Sequence, residues 1–474
     1  MGHIGDRYDG KRGAELTFEE YLESLKIKRV TVIGAGISNT PLIEALLHRG
    51  VDTTVRDKRS FCELGEAAIR FEGLGAKMAL GDEYLSSINA DVLFRTPGIM
   101  PTNPAICDAV SRGAVLTSEM EVFFDVCPCK TIGVTGSDGK TTTTSMIAKL
   151  LENAGYCVHT GGNIGASLLC KADSFDCDDV AVLELSSFQL ITMMKSPDVA
   201  VYTNLTPNHL DVHKDMEEYA KAKRNVFIHQ GRSGRAVFNL DNEYTKAEAE
   251  LARGEALFFS RIEMTRDGVC LDNNGIYDVS GGYREYIMDT GDVLLPGAHN
   301  LENTMAAFAA VRGLVSNDIM KETARAFSGV KHRIELVRRL RGVSYYNDSI
   351  ASSPSRTIAG LHSFGQKVIL VAGGKDKGVA FDELGEEIVK SVKTLILTGM
   401  SAHQILDAVE KARGDGDSPE IMMRDGFEDA VHTAADAAQN GDVVLLSPAC
   451  TSFDRFRNFE ERGDVFRKIV EELK

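Results

Sequence analysis

At 474 residues, with 26% charged and 43% AVILMFWYC residues, the chain has globular composition and room for roughly two to four domains, and a largely disordered polypeptide is excluded. Its 53 Lys and Arg against 69 Asp and Glu leave a net charge of −16. Non-specific coating of nucleic acid is excluded, and an anionic ligand must be held by local basic groups, glycine loops or a metal.

In chain order, residues 1–28 mix charge and glycine without an apolar segment, so neither signal peptide nor anchor is expected. No apolar run approaches the ~20 residues of a membrane span. The β-branched run Arg29–Ile33 predicts a strand, Leu42, Leu46 and Leu47 mark a helix, and residues 53–56 a second strand, together a β-α-β unit. Further strands are expected at 77–80, 91–94 and 114–116. A second cycle starts at 131–135 and includes strands at 180–185, 199–203 and 236–239. The Gly-, Asp- and Asn-rich stretch 261–291 predicts hairpins. A third cycle has strands at 343–347, 368–372, 394–398 and 443–447, then an amphipathic helix over about 455–473. Strand–helix alternation predicts an α/β chain of three domains with mostly parallel sheets, with boundaries at 1–120, 121–329 and 330–474. The nine cysteines are scattered singly and read as reduced thiols. Cys127-Pro-Cys129 is too tight for a usual zinc ribbon.

The sharpest motif is Thr135-Gly136-Ser137-Asp138-Gly139-Lys140-Thr141-Thr142, between a strand and a helix. Glycines turn backbone N–H groups toward phosphate oxygens, Lys140 adds a full charge, and a Thr hydroxyl reaches Mg²⁺. Val134 breaks the general P-loop pattern, and a glycine turn opening an ordinary helix is the bland alternative. Gly34-Ala-Gly36-Ile-Ser-Asn39 keeps two glycines of a dinucleotide fingerprint, with Asp57 at the next strand end. That keeps a nicotinamide oxidoreductase in view. Glu184-Leu-Ser-Ser186-Phe-Gln189 ends an apolar strand, where a carboxylate suits Mg²⁺ or is merely a polar surface group. Asn204-Leu-Thr-Pro-Asn-His209-Leu-Asp211 ends the next strand. By pattern alone Lys223 is a solvated helix lysine. Asn300 and Asn303 share a helix face and suit adenine or ribose, with N-capping the alternative for Asn300. In the third cycle Arg333, Asn347-Asp348-Ser349, Gly373-Gly-Lys-Asp-Lys377 and the run from Ser447 through Phe459 stand out. Arg333 and Lys377 are cations able to neutralise a transferring phosphoryl group, or are residues of surface turns.

Taken together, TGxxGKTT, the Glu-x-Ser-Ser strand end, N-x-T-x-x-H-x-D, the lysine helix and HNxxN closely resemble the Mur ligase family. They stand in family order over nearly the whole chain. That family's phosphate loop is the TGxxGK variant, which accommodates Val134. Asn347-Asp348-Ser349 and the 447–463 run look like the branch that adds D-glutamate to UDP-N-acetylmuramoyl-L-alanine. A family ligase with another acceptor amino acid is the alternative.

The resemblance implies a Rossmann-like UDP-binding domain, a central ATP-binding domain and a C-terminal Rossmann-like amino-acid-binding domain. It implies an ATP-dependent amide ligase, acting through an acyl phosphate in cytoplasmic peptidoglycan precursor synthesis, as a monomer. Residues 136–142, Asn300, Asn303, Arg333 and Asp348 would hold the nucleotide. Two Mg²⁺ ions would be held by Thr141, Glu184, His209 and a carbamylated Lys223, reversing the pattern reading of that lysine. Lys140, Glu184, His209, Lys223 and Arg333 would be catalytic. Ile37, Ser38, Asp57, Lys58, Arg59 and Gly98 would hold the UDP portion and Asn163 and Gln189 the muramoyl portion, with Ser186 and His209 also binding substrate. Lys377, Ser452, Phe453 and Phe459 would position D-glutamate. Better-known members have Asp-Ser-Lys where this chain has Asp348-Ser349-Ile350, and Arg356 or another basic group would be the substitute cation. The rivals are the nicotinamide oxidoreductase and a non-catalytic nucleotide-binding scaffold.

Overall fold

The central apolar runs, such as Arg29–Ile33, Val180–Glu184 and Val368–Ala372, are strands whose side chains are almost all buried, as parallel sheets flanked by helices require. In the computed structural model, which describes residues 16–208, 212–376, 378–414 and 416–474, these strands form three sheets. His209 and Lys377 therefore lie outside the described residues.

The first sheet has five parallel strands in the order Lys77–Leu80, Asp52–Asp57, Arg29–Ile33, Val92–Phe94, Val115–Thr117. Val30, Val32, Leu42, Ile43, Leu46 and Phe71 fill one of its faces. The strand order reverses at Arg29–Ile33, which is where an open α/β sheet leaves a crevice for ligand.

The second sheet has nine strands. Lys130–Thr135 lies between Val180–Glu184 and Val199–Tyr202, all parallel, with Val158–Gly162 at the edge beyond Val180–Glu184. The far side continues through Arg235–Asn239 and Glu255–Ser260. It ends in the antiparallel run Gly268–Asp272, Gly275–Ser280 and Tyr283–Asp289, the hairpins expected from the turn-rich composition. The third sheet has six strands. Val443–Leu446 is inserted between Val343–Asn347 and Val368–Ala372, and Glu335–Leu340 pairs antiparallel at one edge.

By packing, the chain divides into two compact units. One comprises Met1–Thr290 with Glu302–Thr323, and the other Gly291–Leu301 with Ala324–Lys474. The first unit holds two sheets, joined by the buried helix Glu119–Val126 (Met120, Val122, Phe123, Phe124 and Val126) in one continuous core. The residues expected as a boundary near 120 are thus a packed helix. The final helix is Phe459–Glu472, starting later than expected because Asn458 takes the N-cap and accepts from the Glu461 N–H at 2.8 Å. Among the described residues no helix is long and apolar enough to cross a membrane.

Candidate active site

The loops at the strand ends of each sheet carry most of the motif residues. In the first sheet, Asn39 stands where a dinucleotide fold has its third glycine. Its amide donates to the carbonyls of Ile33 and Gly34 at 3.2 and 2.9 Å, pinning the helix start to the strand end. Asp57 accepts from the Ala35 N–H at 2.8 Å and from the backbone and guanidinium of Arg59. Burial pushes its carboxyl up, but the Arg59 contacts and these N–H bonds outweigh it and hold the pKa at about 2. Asp57 thus braces the turn. Ile37 is 81% exposed, and Ser38, Lys58 and Gly98 also reach solvent.

In the second sheet the glycine loop follows Lys130–Thr135, and the helix Lys140–Asn153 starts directly after it. Gly139 has φ +78°, and a Cβ there would sit 2.1 Å from Asn303 Oδ1, so only glycine fits. Asn303 Oδ1 accepts from the Thr143 hydroxyl at 3.3 Å, which brings the HNxxN helix onto the phosphate loop. Further contacts fix the loop: Asp138 N–H donates to Asn204 Oδ1 at 2.9 Å, and Ser137 Oγ to the Thr206 carbonyl at 2.9 Å. Lys140 Nζ curls over it onto the carbonyls of Gly136 and Ser137, at 3.0 and 2.7 Å. Thr141 is half-buried and Thr142 buried.

Glu184 ends its strand buried. One carboxylate oxygen accepts from Asn163 Nδ2 at 2.8 Å; the other is buried with no hydrogen-bond partner among the described residues. A bare anionic oxygen is costly unless something cationic meets it, so the residue suits a hard divalent cation. Ser186 and Gln189, two residues expected to touch substrate, form a capping box with each other, Ser186 Oγ to Gln189 Oε1 at 2.9 Å.

Lys223 corrects the pattern reading: it is 1% exposed, while Lys221 on the same helix is exposed. Its Nζ donates to the Gly136 carbonyl at 2.7 Å and lies 4.8 Å from the centre of the Tyr219 ring. Burial, then the like charge of Lys140, pulls its pKa far below the ordinary lysine value, against the opposing pull of Asp138 and Glu184. The signal was present in the spacing, since Tyr219, Lys223, Val226 and Phe227 form one buried stripe.

In the second unit, Asp348 is buried beyond the end of Val343–Asn347. It accepts from Ser447 Oγ at 2.8 Å and from the Ile334 N–H at 3.3 Å. Burial raises its pKa to about 7 although the Ser447 bond and Arg333 pull the other way. Arg333 sits between two left-handed residues, His332 at φ +65° and Ile334 at φ +44°. Such conformations persist only where surrounding contacts impose them. Asn300 donates to the Pro296 carbonyl at 2.7 Å. Ser452 is buried, Phe453 is 67% exposed, and Phe459 packs edge-on to His332. Arg356, one candidate for the substitute cation, donates to the Ile350 carbonyl at 3.3 Å.

Residues 134–311 match the Mur ligase middle domain, and residues 332–450 match the Mur ligase glutamate ligase domain. A protein of Ruminiclostridium cellulolyticum named UDP-N-acetylmuramoylalanine--D-glutamate ligase is 47% identical, over 96% of this chain and 99% of its own length. One of the same name from Acetivibrio thermocellus is 48% identical, over 96% and 98%. The chain belongs to the Mur ligase family.

Solved structures of Mur ligases agree in fold. The UDP-N-acetylmuramate-alanine ligase of Thermotoga maritima aligns with TM-score 0.55 at 17% identity, over 94% of this chain and 100% of that one. A UDP-N-acetylmuramoyl-L-alanyl-D-glutamate--2,6-diaminopimelate ligase aligns with TM-score 0.56 at 19% identity, over 81% and 93%.

Against this Mur ligase frame, two buried arginines escaped sequence reasoning. Arg462 donates to Ser349 Oγ and to the carbonyls of Ser349 and Cys450, at 3.0, 2.8 and 3.1 Å, tying the final helix to the Asn347-Asp348-Ser349 turn. At the next residue, a Cβ on Gly463 would meet His332 Nδ1 at 2.1 Å. Arg95 donates to the carbonyls of Ile99 and Phe188, at 3.2 and 2.6 Å, and to Thr192 Oγ1 at 3.1 Å. Sequence offers little sign of either, because a buried arginine and a surface one look alike in an apolar-polar pattern.

Proposed function

We propose that this Mur ligase joins D-glutamate to UDP-N-acetylmuramoyl-L-alanine at the expense of ATP, in the building of peptidoglycan precursors. The observation that carries the reading is near-full-length identity of 47–48% to relatives named for that reaction. It extends through the third domain, where acceptor choice resides.

A carboxylate is a poor electrophile, so the L-alanyl carboxylate is first phosphorylated. Its oxygen forms a bond to the γ-phosphorus as the bond to ADP breaks. The D-glutamate amine then attacks the carbonyl carbon, phosphate leaves, and the nitrogen sheds a proton, giving an amide. Loop N–H groups of residues 136–140 and Lys140 stabilise the transferring phosphoryl group. Asn300, Asn303 and Asp348 hold the nucleotide. Glu184 and Thr141, with His209 and Lys223, are assigned to two Mg²⁺ ions, which when bound offset phosphoryl charge. The bare oxygen of Glu184 supports that assignment.

Lys223 fits as a carbamate. Burial favours its neutral amine, the form that adds to CO₂ with loss of one proton, turning a cation into an anionic oxygen ligand. Residues 37, 38, 57–59 and 98 are assigned to the UDP portion and Asn163 and Gln189 to the muramoyl portion, with Ser186 and His209 also binding substrate. Arg333 is assigned to phosphate, and Lys377, Ser452, Phe453 and Phe459 to D-glutamate. The proposed domain limits are 1–120, 121–329 and 330–474. A cytoplasmic monomer completes the reading.

The test is ADP release with UDP-N-acetylmuramoyl-L-alanine and a panel of amino acids. Turnover with D-glutamate alone is expected. Turnover with a different acceptor, or none with D-glutamate, overturns the reading.

A further inference from the structure

At the opposite end of the central sheet from the phosphate loop lies a group of side chains that the ligase chemistry does not use. The edge strand Val158–Gly162 runs parallel to Val180–Glu184, with Val158 opposite Val180 and His159 opposite Ala181. Just before them, the Cys157 carbonyl accepts from the Val180 N–H at 3.0 Å, so Cys157 and Asp179 flank the start of the ladder. Side chains two apart on a strand share a face, which puts Cys157 beside His159, and Asp179 reaches across to both.

The donor atoms converge. His159 Nε2 lies 2.7 Å from Asp179 Oδ2, and Cys157 Sγ 3.8 Å from His159 Nε2. All three lie within 4.8 Å of one another, a grouping without parallel among the described residues. Two of the three are held by neighbours. The imidazole stacks on Phe175, with centroids 3.6 Å apart and planes at 6°. Asp179 Oδ2 also accepts the Asp176 N–H at 3.0 Å.

We propose that Cys157, His159 and Asp179 form a binding site for a zinc ion. One sulfur, one nitrogen and one carboxylate oxygen are a zinc donor set, whereas Mg²⁺ takes oxygens and keeps its waters. Bonds of about 2.3 Å to sulfur and 2.0–2.1 Å to nitrogen put tetrahedral neighbours about 3.5 Å apart, close to the observed Cys157–His159 separation. The tighter His159–Asp179 pair, joined to the ion by two shorter bonds, opens by about 0.6 Å to about 3.3 Å. The Cys157 thiol gives its proton to solvent, the imidazole binds neutral, and water takes the fourth position. The ion would fasten the edge strand to its neighbour roughly 16 Å along the strand from Glu184.

The test uses the full chain, stripped of metal, in excess Mg²⁺ with a non-chelating reductant. Zn²⁺ is titrated in competition with a chromophoric chelator, and Co²⁺ serves as the spectroscopic probe. One equivalent of zinc and a thiolate-to-cobalt charge-transfer band are expected. Cys157→Ser and His159→Gln should each weaken zinc by more than the roughly 10–100-fold lost on removing a merely supporting group, and Cys157→Ser should abolish the band. Cys157 is exposed, so serine there preserves the fold, which circular dichroism verifies. Less than stoichiometric binding by the wild type overturns the proposal. So does a cobalt spectrum without the thiolate band, or stoichiometric binding that survives in both variants, which would put the metal on other cysteines such as Cys127 and Cys129.

Discussion

Three side chains carry the sharpest consequences at the scale of single residues. Glu184→Ala removes a buried strand-end carboxylate with an uncompensated oxygen. Turnover should fall by on the order of 10²–10³, the effect of losing one stabilising group at a reacting centre, while circular dichroism stays unchanged. Lys223→Ala should be nearly inactive and partly restored by a short carboxylic acid that occupies the vacated position, whereas Lys221→Ala, on the exposed face, should retain activity. Full activity of Lys223→Ala in an ADP-release assay would remove the carbamate from the mechanism. Asp348 gives a pH signature. Its carboxyl titrates near 3.8 when unfolded and near 7 in place, so the folded state holds its proton more tightly. The associated stability is complete below pH 3.8 and is lost as pH rises through about 7. Ser447, the Ile334 N–H, Arg333 and Arg356 are the groups acting on it. Amide-exchange protection in Val343–Asn347 should therefore fall with pH across that window in the wild type and stay flatter in Asp348→Asn. At this scale the sequence marked which residues bear chemistry, but not their surroundings. A Glu at a strand end reads the same with or without a partner for its second oxygen.

Elements were legible where their pattern was strong. Buried parallel strands such as Val180–Glu184, apolar up to its closing carboxylate, and Val368–Ala372 are short apolar runs of the kind a parallel sheet buries on both faces. Edge strands were less legible: Lys77–Leu80 and Val115–Thr117 were expected, but Val158–Gly162, which reads VHTGG, and Glu335–Leu340, which reads ELVRRL, were not, because one open side relieves a strand of the need for apolar residues. The strand–loop–helix unit around Gly139 has the least tolerance. Alanine there must adopt a left-handed backbone and push its Cβ into Asn303, at a cost of about 1–3 kcal/mol. Gly139→Ala should bind ATP roughly tenfold more weakly or worse by calorimetry, with the UDP-substrate affinity little changed.

Across the whole molecule, each of three sheets carries motif residues on loops at its strand ends, and in the first two the strand order also reverses there. The repetition was readable from strand–helix alternation, and the division into two packed units was not, since packing between sheets leaves no periodic trace. Arg95 shows what that packing does. Its guanidinium spans from the Ile99 turn of the first sheet to Phe188 and Thr192 beyond Glu184, and lysine, with one ammonium, cannot reproduce the fork. Arg95→Lys and Arg95→Met should raise KM for the UDP substrate and lower kcat together, leaving KM for ATP near its wild-type value in steady-state kinetics. The consequence reaches past this one side chain. On the proposed assignment, Arg95 ties the turn beside the UDP site to the turn that follows Glu184. On that assignment uridine diphosphate, which takes no part in the chemistry, would set the position of an atom many bonds away. A muramoyl-L-alanine stripped of it should lose speed as well as grip.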